Sequence, residues 1–298
     1  MTDLEPAIAD RSRITRATCA WFAVHARPLP WRSDSTSPWG VLVSEYMLQQ
    51  TQVARVEPIW QHWLERWPSP CDLAAERADT VVRAWGRLGY PRRARWLHQA
   101  AAALCAEHVG QVPDDQAALL QLPGIGEYTS AAVVSFAFGR RAVVMDTNIR
   151  RVLVRAVSGH ASAGPAPTPA QRAIAEAMLP RSSAVAARWN AAVMELGAVV
   201  CTARNPACQQ CPIRTWCAWR AAGYPPAPEP ARRQAAFAGS DRQVRGKILA
   251  ILLDQDHASL DQLATTCPDR VQFARAVQSL IDDRLIEGSP DDQMRLAQ

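Results

Sequence analysis

Lysine is almost absent: of the 33 basic residues in this 298-residue chain, Lys247 is the only one that is not arginine. Lysine Schiff-base chemistry is therefore excluded from everything that precedes it. Long apolar runs are absent too, and none approaches the ~20 residues needed to cross a bilayer, so no membrane partner is expected. The N-terminus, MTDLEPAIADRSRITRATCAWF, begins acidic and lacks the basic flank, unbroken apolar stretch and small-residue cleavage site of a signal peptide. That predicts a cytoplasmic protein with reduced thiols. Sustained strand alternation is missing from the first 220 residues, and no internal repeat is present.

What remains is helical. PWGVLVSEYMLQQTQVARV, ADTVVRAWGRLG, RARWLHQAAAALCAEH and QRAIAEAMLPRSSAVAARWNAAVMELGAVV carry apolar residues at helical spacing, which predicts a compact all-α body over residues 1–221. Residues 222–240, AGYPPAPEPARRQAAFAGS, are rich in proline and alanine and read as an extended linker. Residues 241–298 read as three short helices followed by a small hairpin, a winged-helix-like module. Charge divides along the same line. Residues 1–240 hold 26 basic and 18 acidic side chains, whereas residues 241–298 hold 7 and 10, so the body is basic and the module acidic. A basic body points to a polyanionic partner.

Four of the eight cysteines fall in CTARNPACQQCPIRTWC: Cys201, six residues, Cys208, two residues, Cys211, five residues, Cys217. One short loop can aim four thiolates at a single centre, zinc or an iron–sulfur cluster. Zinc ribbons pair two C-x-x-C knuckles, and only Cys208 and Cys211 form one here, so the spacing favours iron–sulfur while leaving zinc open. Cys19, Cys71, Cys105 and Cys267 stand singly among apolar residues and read as buried structural cysteines. In LPGIGEYTSAAVVSF, Pro123, Gly124 and Gly126 form a tight turn between two helical segments. A helix starting near Tyr128 would point its first amides outward, a site for a phosphate.

The turn LPGIG, an Asp twenty residues after Gly126 in VVMDTNIRRV, and the four-cysteine loop follow the order of the helix-hairpin-helix DNA glycosylases of the endonuclease III type. The resemblance covers residues 20 to about 220. Within that superfamily, SEYMLQQTQV at residues 44–53, PWR at Pro30 to Arg32, LGY at Leu88 to Tyr90 and MELGA at Met194 to Ala198 resemble the MutY-type adenine glycosylases. This resemblance implies a two-lobed fold, with a six-helix lobe over about 38–148 and a cluster lobe built from the N-terminal helix plus 149–221. It also implies that Cys201, Cys208, Cys211 and Cys217 hold a [4Fe–4S] cluster. The implied partner is double-stranded DNA carrying adenine opposite 8-oxoguanine or guanine, bound by a monomer, with Gly124 and Gly126 against the DNA backbone.

Catalytic roles follow from the residue types. In the helix from Trp39 onward, Val41, Leu42, Glu45, Leu48, Gln49 and Gln52 recur at three- and four-residue steps, so Glu45 is expected on an apolar face. A buried carboxyl has a raised pKa, which a general acid at neutral pH requires. Asp146 ends the apolar run AVVM and opens a helix, where its ordinary role is an N-cap. Breaking an N-glycosidic bond generates an oxocarbenium-like sugar, so an acid for the leaving base and an anion for the cation are needed. Glu45 is assigned the acid and Asp146 the anion. The resemblance sets Tyr128 and Asn148 beside them, Gln49, Gln50 and Thr51 against the orphan base, and Trp31, Arg32, Leu48, Val53 and Glu195 around the adenine.

Leu88 and Tyr90 are expected as wedges in the duplex, flanked by Arg87, Arg92, Arg93 and Arg95 as a phosphate-facing cluster. Two departures from the family pattern stand out: Thr147 where relatives often have glycine, and Pro91 where they often have a second aromatic. Strand-cutting relatives attack the sugar with a lysine at the position of Tyr128, so a monofunctional glycosylase is expected here. The alternatives are a mismatch thymine or uracil glycosylase of the same superfamily and a non-catalytic iron–sulfur DNA-binding protein.

Overall fold

The computed structural model describes residues 9–227, 236–288 and 293–298. Residues 228–235 of the expected linker and 289–292 of the expected hairpin lie outside that range. The chain forms two units: residues 1–45, 113–121 and 125–231 make the first, and residues 46–112, 122–124 and 232–298 make the second.

Unit 1 is built from helices and loops, with no strand among its described residues, and its helices begin and end where local chemistry dictates. Thr168 accepts from Gln171 N, and Pro169 follows at the first helical position, opening the Pro169–Met178 helix. Asp146 accepts from Ile149 N to open Thr147–Ser158, which stops at Gly159 with φ 69°. Glu127–Phe138 likewise stops at Gly139, φ 62°. Helix Thr147–Ser158 packs closely on Ser183–Val199 because residue 197 is glycine. A Cβ there would come within 2.7 Å of Asn148 Cβ. Asn190, 3% exposed, is satisfied by Ser135 Oγ at 3.0 Å and Ala142 O at 2.9 Å, so this polar residue fixes the register of the core.

Unit 2 buries a tryptophan cluster. Trp63 meets Trp67 and Trp85 edge-on, with centroids 4.9 and 5.5 Å apart. A capping box between Ser69 and Asp72 starts the short Pro70–Ala74 helix, which packs on Arg92–Glu107. That packing joins Cys71 to Cys105 in a disulfide, with Cα atoms 5.4 Å apart. The reading of these two as isolated reduced cysteines is thereby corrected. Their 34-residue separation hides the pairing from the sequence.

The C-terminal module has the expected order. Helices Asp241–Asp254, Leu260–Ala264 and Arg270–Asp282 are joined by a small antiparallel sheet of β1 (Ala258–Ser259), β2 (Ile286–Gly288) and β3 (Gln293–Leu296), with β3 central. Its acidity has a local use. Asp256 pairs with Arg83 at 3.1 Å, Asp283 pairs with Arg92 at 3.1 Å, and Leu253 O accepts from Arg83 at 2.7 Å, all within unit 2. Among the described residues, no helix is long and apolar enough to cross a membrane.

Candidate active site

Glu45 lies in the Pro38–Leu48 helix, and its burial arises differently from the one-sided apolar face read from the sequence. Every residue from Val41 to Met47 is at most 5% exposed, so the helix is enclosed on all sides. Gln49 and Gln52 fall beyond its end. Burial pushes the Glu45 carboxyl from 4.5 up to about 7; a hydrogen bond from Tyr128 Oη to Glu45 Oε2 at 2.8 Å opposes the rise, and the Asp146 charge adds to it.

Asp146 performs its capping role while facing the same centre. Its Oδ1 accepts from Ile149 N at 2.6 Å and its Oδ2 from Asn148 Nδ2 at 2.8 Å. Burial raises its pKa, and these two donors counter that rise. Asn148 is held in turn: its Oδ1 accepts from Arg151 Nη2 at 2.7 Å. Arg151 also donates to Gly197 O and, through Nε, to Cys201 O, both at 2.7 Å. A chain of hydrogen bonds thus runs Asp146, Asn148, Arg151, Cys201.

Glu195 is fully buried, with both oxygens engaged. Oε1 accepts from Arg27 Nε at 2.6 Å, and Oε2 accepts from Arg27 Nη2 and Arg32 Nη2, each at 2.8 Å. Burial works to raise the Glu195 pKa, but the two guanidinium groups outweigh it and hold the carboxyl down at about 2. Glu195 therefore stays ionised and orients Arg32. Trp31, 7% exposed, belongs to the same unit.

Cys201, Cys208, Cys211 and Cys217 line one small cavity together with Arg155 and Trp219. Arg155 donates to Cys201 Sγ at 3.4 Å and lies over the Trp219 ring at 4.5 Å. Burial pushes Cys211 up to about 12, and the three neighbouring sulfurs add to the rise, so four thiolates here require a cationic centre among them. Among the described residues, no three Cys, His, Asp or Glu side chains converge closely enough for one metal ion.

The comparisons agree with this geometry. Residues 43–178 match the HhH-GPD superfamily of base excision DNA repair proteins, and residues 201–217 match the iron-sulfur binding domain of endonuclease III. The adenine DNA glycosylase of Mycobacterium tuberculosis is 46% identical over 98% of this chain and 96% of its own. That of Mycolicibacterium smegmatis is 49% identical over 93% and 94% respectively. The chain belongs to the adenine DNA glycosylases. Among solved structures, a thermostable thymine-DNA glycosylase matches with a TM-score of 0.64 and 25% identity, over 72% of this chain and 98% of that one. In this glycosylase the four-cysteine loop is accordingly an iron–sulfur binding domain, and the cofactor is a [4Fe–4S] cluster.

The remaining candidates lie in unit 2, except Gly126, which belongs to unit 1. Leu48, Gln49, Thr51 and Val53 are half-buried, Gln50 is exposed, and Gln50 and Tyr90 adopt left-handed backbones with φ 57° and 47°. Such conformations are costly for non-glycine residues and concentrate at functional sites. Tyr90 stands 44% exposed, whereas Leu88 is 2% exposed and sits in the core, so only one of the two expected wedges is at the surface. Gly124 needs its φ of 75° and its missing Cβ, which would come within 2.7 Å of Trp96. Tyr46 Oη donates to Pro123 O behind it. Gly126 caps the Glu127–Phe138 helix without a side-chain bond, leaving first-turn amides open.

Arg93 corrects the expected phosphate-facing cluster. It is 3% exposed, and its Nη1 donates to Tyr46 O, Met47 O and Gln49 O at 2.8, 3.0 and 2.5 Å. Its Nη2 donates to Thr51 Oγ1 and Gly89 O at 2.9 and 3.0 Å. It closes the end of the Glu45 helix and ties the 49–51 loop to the 88–90 loop. Arg92 is engaged by Asp283, and Arg87 is exposed. Sequence reasoning missed Arg27, Arg151 and Gly197, and it gave Arg93 the wrong role. Only Arg151 had a usable signal, its i, i+3 spacing from Asn148.

Proposed function

We propose that this chain is a monofunctional glycosylase that hydrolyses the N-glycosidic bond of adenine opposite 8-oxoguanine or guanine in double-stranded DNA. The observation that carries the reading is Glu45, buried, raised to about 7 and hydrogen-bonded to Tyr128 in the neighbourhood of Asp146. At neutral pH about half of such carboxyls hold the proton, against roughly 0.3% of ordinary ones. Glu45 delivers that proton to the departing adenine, the C–N bond breaks with its electron pair leaving on the base, and the sugar becomes cationic. Asp146, fixed by Ile149 N and Asn148, supplies the anion facing that cation until water adds.

Arg32, oriented by Glu195, and Trp31 are assigned to the adenine pocket with Leu48 and Val53. Gln49, Gln50, Thr51 and Tyr90 are assigned to the orphan base and its vacated stack. The open amides at Gly126 and the turn at Gly124 are assigned to a backbone phosphate. Cys201, Cys208, Cys211 and Cys217 would hold the [4Fe–4S] cluster, which supplies a structural anchor for the loop whose Cys201 carbonyl receives Arg151. The absence of lysine before Lys247 supports hydrolysis without strand cleavage.

The decisive test is base release from duplexes carrying A opposite 8-oxoguanine, A opposite guanine, and T opposite guanine. Adenine is expected from the first two and nothing from the third. Thymine release without adenine release would replace this reading with the mismatch thymine glycosylase.

A further inference from the structure

Unit 1 carries a second basic feature that the catalytic centre does not use. A groove of about 760 Å³ lies where the Arg11–His25 helix meets the start of the Ser183–Val199 helix. Arg11, Arg16, Arg181 and Arg188 line it, and no Asp or Glu does. None of the four is paired with a carboxylate among the described residues, whereas Arg13 beside them is paired with Asp10 at 3.0 Å. Arg11 is partly committed, donating to Ala177 O at 3.1 Å. Arg16, Arg181 and Arg188 are exposed.

Two further observations identify the chemistry. The 17-residue Ser183–Val199 helix opens at Ser182 without a side-chain cap, so its positive end faces the groove with first-turn amides available. Thr15, also lining the groove, is 9% exposed, and its hydroxyl has no hydrogen-bond partner. Guanidinium forks and open helix amides are the donors that recognise phosphate, and the buried Thr15 hydroxyl is a further donor that nothing in the fold uses. A solvated arginine face would need neither a buried hydroxyl nor a concave wall.

We propose that this groove is a second DNA-backbone site, which takes phosphodiesters of the duplex away from the reacting base. The inference rests on the DNA-repair reading above. The Ser183–Val199 helix links the two places: Glu195 stands twelve residues beyond its first residue, about 18 Å at ~1.5 Å per residue. That span corresponds to about five base steps at ~3.4 Å each along one strand. A duplex therefore has to extend past the mispair on that side before the groove can contribute.

The test compares the whole cluster-loaded protein with a variant carrying Arg16→Gln, Arg181→Gln and Arg188→Gln, all at exposed positions that leave the core untouched. Binding is measured across a salt series on a long undamaged duplex and on one trimmed close to the mispair, alongside single-turnover adenine release at saturating enzyme. Each phosphate contact contributes about 0.9 to the slope of log affinity against log salt. Losing three is expected to flatten the slope on the long duplex by about 2–3, with no change on the short duplex and none in the saturated rate. An unchanged slope on the long duplex would overturn the site, and so would equal losses on both duplexes. A groove built for an acidic protein segment predicts that unchanged slope. If the parent released no adenine at all, the functional reading would fail, while the slope comparison would still decide the groove.

Discussion

Replacing Glu45 with glutamine should abolish catalysis and stabilise the protein, and both effects come from the same proton. A carboxyl raised from 4.5 to about 7 by burial binds its proton more tightly folded than unfolded. The stability linked to that proton is fully present below pH 4.5 and lost as pH rises through 7. At ~1.36 kcal/mol per pH unit, the ionised form costs roughly 3 kcal/mol once pH exceeds 7. Glutamine keeps the shape, still accepts from Tyr128 through its amide oxygen, and carries no charge to bury. The variant should therefore equal the parent near pH 4.5 and surpass it progressively to pH 8. For a chain of this size, ~3 kcal/mol corresponds to a melting shift on the order of 6–10 °C. Adenine release should fall by about 10²–10⁴, the usual contribution of a positioned acid. The assay is paired thermal melting at pH 5, 6, 7 and 8, with single-turnover excision on the same preparations. A variant no more stable than the parent at pH 8, or a difference that ignores pH, would refute the claim that Glu45 is a buried titrating acid.

Removing the phenol hydroxyl with Tyr128→Phe deletes the bond that lowers the Glu45 pKa, so the descending limb of the pH–rate profile should move to higher pH; a limb that stays put or moves down would contradict the assignment. Asp146→Asn should lose about 10²–10³ of the single-turnover rate, since fixed charge at a developing cation is worth that much, while duplex binding measured by anisotropy persists. Arg151→Gln breaks the link from Asn148 to the Cys201 carbonyl, and excision should drop even in preparations that keep their full iron content by chemical analysis; full activity at full iron would show that the link does not position Asp146. A chain ending at Ser240 should still release adenine, because every assigned catalytic and cluster residue precedes that point; total loss in a folded, iron-containing preparation would assign the C-terminal module to the reaction.

How much was legible in the sequence depended on whether the determining contacts were local. Asp146 as an N-cap, the turn at Gly124, the four-cysteine loop and the three helices of the module are written in spacings of a few residues, and each appears in the fold. Glu45 was identified for its chemistry, but the expected apolar face was incorrect, because a fully enclosed helix has no periodicity to read. Leu88 and Tyr90, neighbours in one motif, separate into core and surface through backbone angles that residue identity does not reveal. The Cys71–Cys105 bond and the grip of Arg27 on Glu195, 168 residues apart, depend on packing between distant segments. Arginine was the hardest to read. Arg92 and Arg93 stand side by side in the chain, yet one meets the acidic module and the other is buried beneath two loops.

Arg93 has a consequence for how variation in such a protein is interpreted. It touches no group assigned to bond breaking, and a survey organised around reacting residues would rank it as background. Yet one substitution there would leave four carbonyl oxygens and a hydroxyl without their donor and would untie the two loops that carry Gln50 and Tyr90. Its loss should resemble that of a base-contacting residue in a genetic screen while Glu45 and Asp146 stay intact. A lysine, with one ammonium in place of a planar fork, could not span all five acceptors. Any replacement of this arginine, however conservative it looks, is therefore expected to disable the protein.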